Sequence, residues 1–176
     1  MSATQLDTSS NMAIDPPSTA VTTLQLEAHL ETLSETIVHE FNKRPLSLSS
    51  PTWRHMFSGF TASFDCPLAP AHNLSLEQWI KSVQNVIDAN PDYRVEVSSK
   101  TPYVYPRSNQ AEVFVVFRMS GFAQTDTVMQ VMGTFEFIYM DLRWQCRSYS
   151  GLGEMLIPVG DMEMDTKAQV EMAATS

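Results

Sequence analysis

The feature that most constrains this chain is its apolar block between Glu112 and Ser150. Three runs stand out within it: Glu112–Gly121, Val128–Met140 and Arg143–Ser150. From Gly133 on, the middle run alternates. Gly133, Phe135, Phe137 and Tyr139 share one side; Thr134, Glu136, Ile138 and Met140 share the other. A period of two belongs to a pleated strand, and Val- and Phe-rich segments suit a pleated surface. Asp141-Leu142 predicts a tight turn between the second and third runs, although it lacks the glycine that such turns favour.

A two-residue turn sets the register. Met140 faces Arg143, Tyr139 faces Trp144, Phe137 faces Cys146, and Glu136 is expected to face Arg147. The face of Phe135, Phe137, Tyr139, Trp144, Cys146 and Ser148 then reads as core. The opposite face, with Thr134, Glu136, Ile138, Met140, Gln145, Arg147 and Tyr149, is too apolar for free solvent and too charged for a core. The first run is apolar on both sides: Val113, Val115, Phe117 and Met119 on one, Phe114 and Val116 beside Arg118 on the other. Such a strand is covered twice. Helices suit one side, and a second subunit is expected on the other, since large exposed apolar patches mark interfaces.

Upstream, Thr22–Lys43 predicts a helix, because Leu26, Leu30, Leu33, Ile37 and Phe41 recur at helical spacing. His29 sits at the edge of that stripe. Pro51–Phe57 predicts a short helix capped by Ser50, with proline at its first position. Phe60, Ala62 and Phe64 alternate as in a short strand. A second helix is expected over Ser75–Asn90, opened by the capping box SLEQ. Asp92–Ser99 and Thr101–Arg107 read as extended, with Pro102 and Pro106 confining the latter to an edge or a loop. The polar ends, 1–21 and 160–176, are expected to be a disordered and a flexible tail around one domain spanning 22–159.

The chain's 176 residues are enough for one domain with a real core. A net charge of −9 argues against nucleic acid or an anionic membrane as partner. Cys66 and Cys146 make no disulfide framework, and no His/Cys cluster suggests a metal. With no long apolar run, a soluble cytoplasmic protein is expected.

The order of helix, short helix, short strand, helix and antiparallel strands resembles the nuclear transport factor 2-like superfamily, and within it the SnoaL-like group. The pieces that carry the likeness are PTWRHMFSGFTASFD at Pro51–Asp65, SLEQWIKSVQNVIDANPDYRVEV at Ser75–Val97 and RWQCRSYSG at Arg143–Gly151. The resemblance implies an α+β fold, a cystatin-like cone whose curved antiparallel sheet wraps the N-terminal helices around a central apolar pocket. It also implies homodimers through the outer sheet face. For function it implies a cofactor-free isomerase, cyclase or dehydratase acting on a hydrophobic polyketide- or terpenoid-like molecule. The alternative is a non-catalytic dimeric module that binds an apolar ligand or a protein partner.

Such chemistry needs a carboxylate or histidine base in an apolar pocket, with a hydroxyl donor to stabilise an oxyanion. The candidates are His55, Asp65, Tyr139 and Glu136. Each also has an ordinary structural role open to it: a partly exposed helix histidine, a loop carboxylate, a satisfied core hydroxyl, and a cross-strand ion pair with Arg147. Trp53, Phe57, Phe117, Phe135, Phe137, Trp144 and Ser148 are expected to line the pocket.

Overall fold

The computed structural model describes residues 23–65, 71–105, 108–122 and 128–157, the side chains of Asp65 and of 152–157 excepted. Both expected tails and Cys66 lie outside the described residues. The elements are α1 (Thr23–Glu40), a 3-10 turn (Pro51–His55), β1 (Met56–Asp65), β2 (Ala71–Leu74), α2 (Leu76–Ala89), β3 (Arg94–Val104), β4 (Gln110–Ser120), β5 (Val128–Met140) and β6 (Arg143–Ile157). Six strands form one sheet in the order β2-β1-β6-β5-β4-β3, open at both edges. The expected sheet was antiparallel throughout; the observed one is mixed, because β1 runs parallel to β6.

Local signals place the helix ends. Ser75 accepts from the Gln78 backbone N–H while the Gln78 side chain accepts from the Ser75 N–H, so the capping box of α2 closes as its sequence predicts. Ser50 caps the 3-10 turn, and Pro51 occupies its first turn. The segment expected as a helix to Phe57 leaves that path at Met56, where β1 begins and pairs with Cys146 of β6. At the end of α1, Asn42 behaves like a strand residue. Its side chain donates to the Val95 carbonyl at 2.7 Å and accepts from the Val95 N–H at 2.8 Å, covering part of the edge of β3. Pro102 is tolerated in β3 because β3 is an edge strand.

Both helices pack on one face of the sheet. Leu30, Leu33, Ile37 and Val38 of α1 and Trp79, Ile80 and Ile87 of α2 are buried. They meet Val113, Val115, Phe117, Phe135 and Phe137 from β4 and β5. Trp79 sits at the centre, stacked on Phe60 and on Tyr149 with ring centroids 5.3 Å away in each case, and Phe41 meets it edge-on at 5.0 Å. Aromatic rings at these separations fill space rather than frame it.

Bulges bend the sheet. Ser98 is the extra residue of β3 against β4, and Arg147 and Gly153 are extra residues of β6 against β5. A bulge increases local twist and re-aims the side chains that follow it. The hairpin register is the expected one from Met140↔Arg143 to Phe137↔Cys146. Past that point Arg147 loops out, so Glu136 pairs with Ser148 rather than with Arg147. The faces consequently exchange. Tyr149, expected outside, is buried against Phe135, and Ser148, expected on the core face, turns outward.

A cleft at the hairpin end of the sheet

The inner face of β5 and β6 continues past the packed core to the turn at Asp141-Leu142. Tyr139 and Trp144 are cross-strand partners there, with ring centroids 5.5 Å apart and planes inclined by 52°. The first turns of α1 approach from one side with Leu26 and His29, and Asn109 approaches from the other, its carbonyl accepting from the Tyr139 N–H at 2.8 Å. Together with Leu142 these residues enclose a cleft of about 470 Å³.

The turn itself is strained. Asp141 and Leu142 both hold positive φ, +53° and +60°. A two-residue hairpin turn of this kind needs the left-handed conformation at both positions, which is why glycine is favoured there. A leucine pays roughly 1–2 kcal/mol for it, and Leu142 is 90% exposed. An apolar side chain thus stands in solvent at the lip of the cleft.

The charges that act on His55, near this end of the sheet, are positive. His55 is half-buried at the end of the 3-10 turn. Burial holds its pKa below the ordinary histidine value, and the charges of Arg54, His29 and Arg143 press in the same direction. The Arg54 Nε–H donates to His55 Nε2 at 3.4 Å, which also favours a neutral imidazole. With Nε2 accepting from Arg54, the neutral ring carries its proton on Nδ1, so His55 presents a hydrogen-bond donor and no charge.

The four candidate catalytic residues do not converge. His55 and Tyr139 lie toward the hairpin end, linked through His29. Asp65 closes the other end of β1, a ten-residue strand, which at about 3.3 Å per residue puts it roughly 30 Å from His55. Glu136 is exposed on the outer face, where it accepts from the Ser148 hydroxyl at 2.7 Å. There it borders a second groove, about 320 Å³, with Tyr105, Glu112 and Arg147. Glu112 and Glu136 are direct cross-strand partners, and the Tyr105 hydroxyl donates to Glu112 at 2.7 Å, which raises the phenol's pKa.

Of the residues expected to line a pocket, Trp144 lines the cleft and Phe137 borders the outer groove. Phe135, Phe137, Trp53 and Phe117 are packed in the core at 1%, 1%, 6% and 9% exposure, Phe57 is half-buried on β1, and Ser148 faces outward. His29, Asn109, Leu26 and Leu142 were not singled out from the sequence as pocket residues. Leu26 and His29 had a usable signal, since three residues on a helix bring two side chains to one face. So had Leu142, an apolar residue where a turn favours glycine. Asn109 had none.

No protein-family model matches this sequence, and no curated protein matches it. Solved structures do match in fold. An NTF2-like protein of unknown function from Pseudomonas putida KT2440 aligns with a TM-score of 0.58 at 11% identity, over 73% of this chain and 87% of that one. The hexachlorocyclohexane dehydrochlorinase LinA-type3 from Novosphingobium barchaimii LL02 aligns at 0.58 and 13% identity, over 77% and 91%. A domain of unknown function with a cystatin-like fold from Nostoc punctiforme aligns at 0.54 and 18% identity, over 87% and 95%.

Proposed function

We propose that this chain, which has the NTF2-like, cystatin-like α+β fold, binds a small, flat, largely apolar organic molecule in the cleft beside Asp141-Leu142. The cleft carries this reading. Its volume of about 470 Å³ falls within the range that small-molecule sites occupy, and its lining follows their pattern of apolar walls with few polar groups. Trp144 and Tyr139 offer ring faces, Leu26 and Leu142 close on the edges, and His29 and Asn109 supply the polar contacts. The positive charge of Arg54 and Arg143 near His55 favours a ligand with an acidic or strongly accepting group.

A second reading, acid–base catalysis at this end of the sheet, is favoured by one observation: His55, outside the lining of the cleft, is held neutral toward the end that carries His29 and the Tyr139 hydroxyl. A neutral imidazole is a competent base, and a phenol is a competent donor to a developing oxyanion. Isomerisation, cyclisation or dehydration of a polyketide- or terpenoid-like substrate would use these groups alone. The dehydrochlorinase among the similar folds is an enzyme on this scaffold. Binding is the primary reading because the four candidate catalytic groups lie apart.

The test uses 8-anilinonaphthalene-1-sulfonate, a flat aromatic anion, titrated into the full chain with its fluorescence as readout. Trp144→Ala and His29→Ala are each expected to raise Kd about tenfold, the loss of roughly 1.4 kcal/mol of contact. Saturable binding that neither substitution alters overturns the assignment of the cleft.

A further inference from the structure

The groove on the outer face of the sheet holds charges of both signs that do not neutralise one another. Glu112 and Glu136 are direct cross-strand partners, and like charges so placed repel. Each carboxylate accepts one hydroxyl hydrogen bond, Glu112 Oε1 from Tyr105 and Glu136 Oε2 from Ser148, both at 2.7 Å. The second oxygen of each accepts none from a described residue. A carboxylate has lone pairs for several donors, so both keep unused acceptor capacity. Arg147 lines the same groove, yet among the described residues it forms no ion pair with either carboxylate.

The bulge in β6 is the cause. An unbroken ladder would set Arg147 against Glu136, and a cross-strand ion pair would close the space. As the extra residue, Arg147 is displaced from that position, and Ser148 takes its place on Glu136. Bulges are over-represented beside functional sites because they re-aim a side chain. What stays open is the groove of about 320 Å³, at the small end of the range that ligand sites occupy. The stretch after β3 borders it: the Tyr105 N–H donates to the Gln110 carbonyl at 3.2 Å, and Tyr103 meets the Tyr105 ring edge-on with centroids 4.9 Å apart. That ring stands beside the carboxylate pair, where it adds a π face for a cation.

We infer that this groove binds a small amino-acid-like zwitterion, with its cationic nitrogen between Glu112 and Glu136 and its carboxylate on Arg147. A guanidinium suits the acidic end, since its planar fork can serve two carboxylates at once. Arg147 reads the ligand's carboxylate by the same bidentate geometry. Within the groove, Glu112 and Glu136 against Arg147 leave negative charge in excess, and the chain's net charge of −9 adds to it. The class favoured is therefore a basic amino acid. The site is independent of the cleft, which lies on the inner face.

Isothermal titration calorimetry of the full chain with L-arginine tests it, with L-argininamide as the control that lacks the carboxylate. Saturable binding of L-arginine is expected. Glu136→Gln is expected to raise Kd about tenfold for both ligands, and Arg147→Ala about tenfold for L-arginine alone, the scale of one hydrogen bond to a charged group. Glu112→Gln takes the place of Glu136→Gln should the latter fail to fold by circular dichroism. L-arginine is expected to bind as tightly with 8-anilinonaphthalene-1-sulfonate present as without it. An absence of saturable heat with L-arginine overturns the inference. So does binding that Glu136→Gln or Arg147→Ala leaves unmoved, or an Arg147→Ala that weakens both ligands alike. Competition between L-arginine and the fluorescent anion would move arginine to the cleft and overturn it as well.

Discussion

The hydroxyl of Tyr149 occupies the space a Cβ at Gly133 would need: an atom built there lies 2.6 Å from the phenol oxygen. Gly133 and Gly151 are cross-strand partners, and both border the ring of Tyr149. The paired glycines open a recess in the inner face, and the bulge at Arg147 aims Tyr149 into it. The hydroxyl is buried and has no hydrogen-bond partner among the described residues, and burial pushes its pKa well above the ordinary phenol value.

That packing makes a paired prediction. Gly133→Ala is expected to destabilise the fold by about 1–3 kcal/mol through overpacking, because the ring is wedged between Trp79 and Phe135 and has nowhere to go. Tyr149→Phe is expected to be neutral or stabilising, since it removes an unpaired polar atom from an apolar core. Combined with Gly133→Ala it should recover part of the loss. Urea unfolding of the four proteins measures the coupling; strictly additive effects would refute the hydroxyl's share of the contact and leave it to the ring, whose Cε2 lies equally close at 2.6 Å.

Leu142 sets stability against binding. Leu142→Gly is expected to stabilise the fold by up to about 1 kcal/mol, since glycine relieves the positive φ and its greater backbone freedom offsets part of the gain. The same change removes the lip of the cleft and is expected to weaken the fluorescent anion severalfold. Thermal unfolding and the titration on one preparation give both numbers. A gain in stability with unchanged affinity would leave Leu142 as a strained turn residue alone.

The sign of the His55 shift determines a pH dependence. Its folded pKa lies below the ordinary 6.5, so between those two values the unfolded chain binds a proton that the folded chain does not. Stability from this group is full above 6.5 and falls as pH drops through that window. Glu35 and Glu40 are also held below their ordinary 4.5, Glu35 chiefly by Lys100. Burial pushes Glu40 up, but hydrogen bonds from Lys43, Ser50 and Thr52 outweigh it. Their losses therefore begin only below that value. His55→Gln is expected to flatten the decline that begins as pH falls below 6.5 while leaving the more acidic limb intact. Denaturation midpoints across a pH series check it; parallel curves for wild type and variant would rule it out.

The sequence by itself determined whatever a few neighbouring residues can encode. The strands of the 112–150 block, the capping box at Ser75 and the hairpin pairing of Tyr139 with Trp144 all follow from periodicity and turn length. That pairing made one wall of the cleft legible. The tertiary structure decided everything that needed two distant segments to meet. The bulge at Arg147 is an insertion relative to β5, invisible in β6 alone, and it exchanged Ser148 for Tyr149 in the core. The parallel contact of β1 with β6 joins segments some ninety residues apart and sends His55 and Asp65 to opposite ends of the sheet. The cleft draws on α1, the approach to β4 and the hairpin, three stretches whose nearness no local pattern records. Side-chain alternation is set by the backbone of one strand, whereas register beyond a bulge is set by the energy of the whole packed face.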